Sequence, residues 1–329
     1  MILSFLYLLS CSSESPVQNT TTPISADQEE AVVEDLLATN PAPTKTKSND
    51  TAALCSDCDV ILITVCSLRK DHVGVYGSST AKTPAIDSLA SGSFLFETAY
   101  AASAFTLSSL TAILTGQFGS STGVLGWDKG LIKDVTTLPE VLGYYGYSTA
   151  GFTIDAPSGF RPDYGLDQGF QQLHVAIPPA DTPDGAGRGE AKGPGGSAIP
   201  AAEWLKEQPK DKPLFLMYHS RTAHYPFVYS EPDLKNDSTG VTQILWNGER
   251  GLHESHMPGM AGGDEIQGAV ERKRDLVMET MMKAGKEGQK VWDAHYANAV
   301  TWMDHDIAVL MKALEERGTA DKTVIILVA

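Results

Sequence analysis

Apolar residues along this chain fall into blocks of two kinds, and the blocks take turns. Asp59-Val-Ile-Leu-Ile-Thr-Val65 is an unbroken β-branched run, the pattern of a strand covered on both faces. Leu214 to His219, Thr323 to Val328 and Tyr147 to Ile154 read as further strands. Between them the spacing turns helical. Thr83-Pro84 supplies N-cap and first-turn chemistry for a helix with Ile86 and Leu89 on its inner side, ended by Gly92. Leu107, Leu110, Ile113 and Leu114 recur at helical spacing up to Gly116. Thr137 and Glu140 form a capping box ahead of Val141 and Leu142. Pro200 to Lys206 predicts a short helix, and Trp292 to Arg317 a long amphipathic one closed by Gly318. Strands that alternate with helices predict an α/β fold, a mostly parallel sheet sandwiched by helices. Ligands in such sheets bind beyond the carboxyl ends of the strands. Function is therefore expected after Val65, around Phe105 to Ser109, after His219 and after Ala329.

The first ten residues, MILSFLYLLS, are nearly all apolar, yet a membrane-crossing helix needs roughly 20. Residues 1–10 read instead as the apolar part of a signal sequence. Leu8-Leu9-Ser10-Cys11 resembles the bacterial lipobox, in which the cysteine is acylated, although no Lys or Arg precedes it. Two acyl chains there would supply the double anchor that stable membrane attachment requires. Residues 11–56, rich in Ser, Thr, Pro and Asn and nearly free of aromatics, read as a disordered tether, and residues 57–329 as the folded domain. The expectation is an extracytoplasmic, membrane-anchored bacterial lipoprotein of the periplasm or cell surface.

Composition narrows the class of function. With 42% hydrophobic and 20% charged residues the chain can bury a core, which sets wholesale disorder aside. Forty-one acidic against 25 basic residues give a formal charge of −16, which argues against a nucleic-acid partner. An anionic substrate then needs a pocket that reverses the local field. Four cysteines are too few for a disulfide scaffold. Cys55 and Cys58 precede the first strand, so a thioredoxin-type motif is not indicated; a local disulfide or two idle thiols remain. Two segments look peripheral: the Pro/Gly-rich 178–196, and 230–289, where metal binding by His253 and His256 is not expected.

The segments DVILITVCSLRKDHVGVYG (59–77) and TPAIDSLASGSFLFETAYAASAFTLSSLTAILTG (83–116) together resemble the N-terminal half of sulfatases, of the alkaline-phosphatase-like superfamily. GYSTAGF (146–152), PLFLMYHSRTAHYPF (213–227) and YANAVTWMDHDIAVLMKALEERG (296–318) continue the likeness in the family's order, over roughly residues 57–329. The resemblance implies metal-dependent hydrolysis of sulfate or phosphate esters. A divalent ion, calcium in sulfatases, holds the ester oxygens, and a nucleophile at a helix N-terminus attacks.

That nucleophile is a formylglycine made from the first residue of a C/S-x-P-S-R motif. Aligned on Leu114-Thr115-Gly116, the motif puts Thr106 at the nucleophile, Ser108 at its Pro and Leu110 at its Arg. Oxidising threonine gives a ketone, whose hydrate is disfavoured, so the formylglycine route is expected to fail at Thr106. Threonine attacks directly in the related phosphoethanolamine and lipoteichoic-acid transferases, and that alternative calls for zinc or manganese. Cys66 and Ser67 stand where the family has metal-binding Asp residues; thiol suits calcium poorly and zinc better. Asp71 and His72 match a family segment as structural residues, and His224 matches a histidine that contacts sulfate or phosphate. His219 is expected to pack or to support other residues. The sulfatase GKWH segment has no counterpart where Gly151-Phe-Thr-Ile154 stands, and the family's (S)DHG motif would follow Ala329. The reading is thus a sulfatase-like domain lacking its C-terminal part, impaired in catalysis and without a complete metal site. Three roles stay open: a weakened ester hydrolase, a threonine-nucleophile phospho-ester transferase or hydrolase in the full-length protein, and a non-catalytic binder of sulfated or phosphorylated glycans.

Overall fold

The computed structural model describes residues 57–126, 129–154, 160, 164–176, 198–224, 227, 237–242 and 263–329. β1 (Asp59–Val65) lies parallel to β4 (Leu214–Ser220) on one side and β5 (Thr323–Val328) on the other. β4 pairs in parallel with β2 (Ser148–Ile154), and β2 with β3 (Gln172–Ala176), giving the order β3-β2-β4-β1-β5. The hydrophobic runs explain the centre: every residue of β4 is buried, and all of β1 except Val60. β5, at the edge, alternates between exposed and half-buried positions instead. β3 escaped the sequence pattern, because Gln172-Leu-His-Val-Ala176 is short, polar at two positions and at the other edge.

Six helices flank the sheet among the described residues: α1 (Pro84–Ser91), α2 (Thr106–Thr115), α3 (Gly119–Thr122), α4 (Leu138–Tyr144), α5 (Ala198–Glu207) and α6 (Gly263–Arg317). The parity of the strand residues divides them between two layers. Ile61, Ile63, Leu216 and Tyr218 meet α1, α5 and α6 on one face. Leu62, Phe215 and Met217 meet Leu107, Leu110 and Leu114 of α2 on the other. The predicted doubly covered parallel sheet is what forms.

Chain signals and tertiary contacts share the work of ending these helices. Gly116, in the left-handed region at φ 67°, closes α2 by donating its N–H to Ala112 O at 2.9 Å. The Thr137–Glu140 capping box opens α4 as expected: Thr137 N–H donates to Glu140 Oε2 at 2.8 Å, and Glu140 N–H to Thr137 Oγ1 at 3.4 Å. Thr83 does not cap α1. Its hydroxyl accepts from Gly74 N–H at 2.8 Å and donates to Asp87 Oδ1 at 3.2 Å. The first N–H groups of α1, from Ala85 and Ile86, donate instead to the Asp304 carboxylate of α6, at 3.0 and 2.9 Å. Sequence alone cannot show a cap that arrives from about 220 residues away.

α6 is longer than the predicted Trp292 to Arg317: it begins at Gly263 and bends at Gly285, where the backbone leaves helical geometry (φ 54°, ψ −135°). The 230–289 segment therefore holds the first part of a helix, which its glycines disguise. At the far end of α6, Arg317 is buried and pairs with Asp59 at 3.4 Å while donating to the carbonyls of Leu205 in the last turn of α5 and of Gln208 and Pro209 just after it. Asp59 also accepts from Leu214 N–H at 3.0 Å, so one ion pair ties β1, β4, α5 and α6 at the amino end of the sheet. Cys58 is disulfide-bonded and Cys66 is free. The expectations for Cys11, Cys55, His253, His256 and residues 178–196 lie outside the described residues.

Candidate active site

β1 delivers its carboxyl end to a short loop. Cys66 extends the ladder by one bond, its N–H donating to Ser220 O at 2.9 Å, and Ser67 then turns the chain through the left-handed region at φ 61°. On the same face of the sheet, α2 starts at Thr106 after Phe105, whose extended backbone carries no side chain able to cap the helix. These two features bring together residues 40 positions apart: Thr106 Oγ1 lies 3.5 Å from Cys66 Sγ, and Ser67 Oγ is 3.7 Å from the same sulfur. Both Cys66 and Thr106 are half-buried, open at the mouth of the sheet. The N-terminus of a helix carries partial positive charge and unpaired N–H groups, so an anion is favoured there.

The second wall leaves from the neighbouring strand. The register Val65 to Ser220 puts the loop after β4 at the same edge as Cys66. It turns through His224 N–H to Arg221 O at 2.8 Å and Phe227 N–H to His224 O at 2.9 Å. Arg221 Nη2 lies 3.5 Å from His224 Nδ1, so a guanidinium accompanies the imidazole. Sequence reading singled out His224 and missed Arg221. Its only signal was a lone cation just past a strand end, the place where ligands bind.

Beneath this mouth sits His219, 2% exposed, its Nδ1 2.7 Å from Thr64 Oγ1 and its Nε2 without a hydrogen-bond partner among the described residues. Burial above all, then the charges of Arg221 and His224, push its pKa down to about 3, so the ring is neutral. It packs and supports, as expected. Leu110, at the family's arginine position, is 3% exposed within the apolar cluster under α2. The site thus has Arg221 but no cation from α2. Asp71 and His72 lie on the outer loop: Asp71 pairs with Arg69 at 2.6 Å, which holds its carboxyl below the usual range, and buried His72 packs edge-on against Tyr296.

Loop and wall are joined by α6. Tyr296 donates its hydroxyl to Ser67 O and accepts from Arg69 N–H, both at 2.7 Å, and burial raises its pKa to about 12, so it remains a donor. A divalent ion, implied by the resemblance, finds poor ligands here. Cys66, Ser67 and Thr106 offer a thiol and two hydroxyls where calcium wants carboxylate or carbonyl oxygens. Among the described residues no group of three or more His, Cys, Asp or Glu side chains could hold a metal. These residues do not fit calcium.

A family model described as Sulfatase matches residues 59–329. The chain belongs to the sulfatase family. That family is typically metal-dependent. The chain is 29% identical over 167 residues to an N-acetylglucosamine-6-O-sulfatase of Bacteroides thetaiotaomicron, a match covering 48% of this chain and 30% of that protein. It is 29% identical over 210 residues to human arylsulfatase A, covering 51% of this chain and 41% of that one. The chain thus spans less than half the length of these curated relatives. Among solved structures, the phosphonate monoester hydrolase of Agrobacterium radiobacter superposes with a TM-score of 0.54 at 19% identity, over 82% of this chain and 62% of that one. The fold is that of the alkaline-phosphatase-like superfamily, as the resemblance implied.

Proposed function

We propose that this sulfatase-family protein binds sulfate or phosphate esters of sugars at the mouth lined by Thr106, Cys66, Arg221 and His224, and that turnover by the family's formylglycine route is impaired. One observation carries the reading: Thr106 Oγ1 beside Cys66 Sγ at 3.5 Å. The nucleophile position holds a secondary alcohol that cannot become an aldehyde, and the adjacent ligand position holds a thiol that suits calcium poorly. The α2 N-terminus, Arg221 and His224 supply local positive potential within a chain of formal charge −16. The sulfated-sugar relative and the phosphonate-ester neighbour support the ligand class.

The test offers glucosamine 6-sulfate to the purified protein with and without calcium. Sulfate release, calorimetric binding and the mass of the Thr106 peptide are followed. Expected are saturable binding that His224→Ala abolishes, an unmodified threonine and no sulfate above the blank. Calcium-dependent release that Thr106→Ala removes would sink the proposal. The placing of Thr106 Oγ1 at a helix N-terminus favours a second reading, a threonine-nucleophile phospho-ester transferase or hydrolase accompanied by zinc or manganese. It requires a phospho-adduct on the Thr106 peptide after exposure to a phosphate ester, and metal bound to the protein by elemental analysis.

We further propose export and attachment to a bacterial membrane through an acylated Cys11, on the strength of Leu8 to Cys11 following an apolar run. Metabolic labelling with a palmitate analogue should mark the wild type and spare Cys11→Ser. Equal labelling of both discards the anchor.

A further inference from the structure

Two non-glycine residues near the site hold the left-handed backbone region, and each belongs to one of its walls. Ser67 (φ 61°) directly follows Cys66, and Phe227 (φ 61°) lies three residues beyond His224. Residues with a Cβ visit this region rarely and stay there only where neighbours hold them. Both contact the same side chain, Tyr296 of α6. Its hydroxyl bridges Ser67 O and Arg69 N–H at 2.7 Å each, pinning the peptide groups on either side of Leu68. Its ring lies edge-on to Phe227 with centroids 5.6 Å apart, and Phe227 in turn donates its N–H to His224 O at 2.9 Å. The ring also meets His72 edge-on at 4.7 Å, which leaves it little room to turn. Tyr296 is 6% exposed.

We propose that Tyr296 is a positioning residue that sets the Cys66 and His224 walls against each other. Through Ser67 it keeps the Cys66 thiol on Thr106, and through Phe227 it keeps the His224 turn in place. A long helix packed on the sheet thereby fixes the width of the mouth. The proposal rests on reading Thr106, Cys66 and His224 as one site, but its test does not depend on turnover.

Tyr296→Phe keeps the ring contacts and deletes the bridging hydroxyl. The readout is the rate of iodoacetamide alkylation at Cys66, followed on its own peptide by mass spectrometry and measured well below the melting temperature. Thr137→Ala is the control, since it removes the α4 capping box, whose hydrogen bonds run to Glu140 and Gln168 and not to the 66–69 loop. The expected result is a rate at least threefold above wild type in Tyr296→Phe, with Thr137→Ala within twofold of wild type. A rate less than threefold above wild type in Tyr296→Phe, or a rise of the same size in Thr137→Ala, overturns the proposal. Should Tyr296→Phe fail to fold, Arg69→Pro takes its place under the same thresholds. It removes the N–H that Tyr296 accepts from together with the guanidinium that pairs with Asp71, so Arg69→Ala, which loses that pair and keeps the N–H, runs beside it and should stay within twofold of wild type. Loss of glucosamine 6-sulfate binding in wild type with an intact alkylation response would count against the proposed function and leave Tyr296 in its role.

Discussion

Replacing His219 by Gln should flatten the acid sensitivity of the fold. In the folded chain the imidazole has a pKa of about 3, against 6.5 in its ordinary state, because burial strips its water and Arg221 and His224 add like charge. The unfolded chain therefore binds one more proton than the folded chain between those values. Stability from this group is fully present above pH 6.5 and is lost as pH falls toward 3. Between pH 7.5 and 4.5 the loss amounts to about 2 pH units at 1.36 kcal/mol each, or about 3 kcal/mol. pH 4.5 lies well above the folded value, so the size of the loss is governed by the unfolded state. Glutamine does not titrate, and its amide can still reach Thr64 Oγ1, which now lies 2.7 Å from His219 Nδ1. Urea denaturation of both proteins at the two pH values isolates the effect, since every other titrating group cancels in the double difference. Wild type should lose about 3 kcal/mol more than His219→Gln. Equal losses, within about 0.5 kcal/mol, would show that His219 is solvated or paired and refute the burial argument.

Leu110→Arg restores the residue the family carries, yet in this chain it pushes a guanidinium toward the apolar cluster under α2. It should destabilise by about 3 kcal/mol or more in denaturant melts and leave sulfate release at zero. Arg317→Leu strands the buried Asp59 carboxylate and should cost about 3–5 kcal/mol, while adding Asp59→Asn should recover part of it; melting of the double variant below the single one would contradict the pairing. Asp304→Ala removes the acceptor for two N–H groups of α1 and should cost about 2 kcal/mol, with faster hydrogen exchange confined to the Ala85 and Ile86 amides and their neighbours.

Periodicity and local chemistry carried most of the architecture. Unbroken apolar runs made β1, β4 and β5 legible and with them the parallel sheet; β1 and β4 are covered on both faces, whereas β5 lies at an edge and stays partly exposed. The Thr137 capping box and the Gly116 stop were legible because each acts within four residues of its partner. β3 and the first half of α6 were missed, one for want of length and apolar pattern, the other because glycines broke its helical signal. Thr83 was misread as a cap for a different reason: a carboxylate from α6 competes for the same N–H groups and wins on charge.

The site divides the same way. Sequence motifs named Thr106, Cys66 and His224, because the spacing to Leu114-Thr115-Gly116 and the strand ends ranks positions along the chain. Their chemistry, a secondary alcohol and a thiol in place of the family's nucleophile and carboxylate, was also decided by residue identity alone. Sequence could not show that the alcohol and the thiol stand 3.5 Å apart, that Arg221 shares the His224 turn, or that one tyrosine from α6 braces both loops. Apart from the Arg221–His224 turn, those are distances between segments 40 to about 230 residues apart, and only the closing of the sheet and the packing of α6 across it bring such segments together.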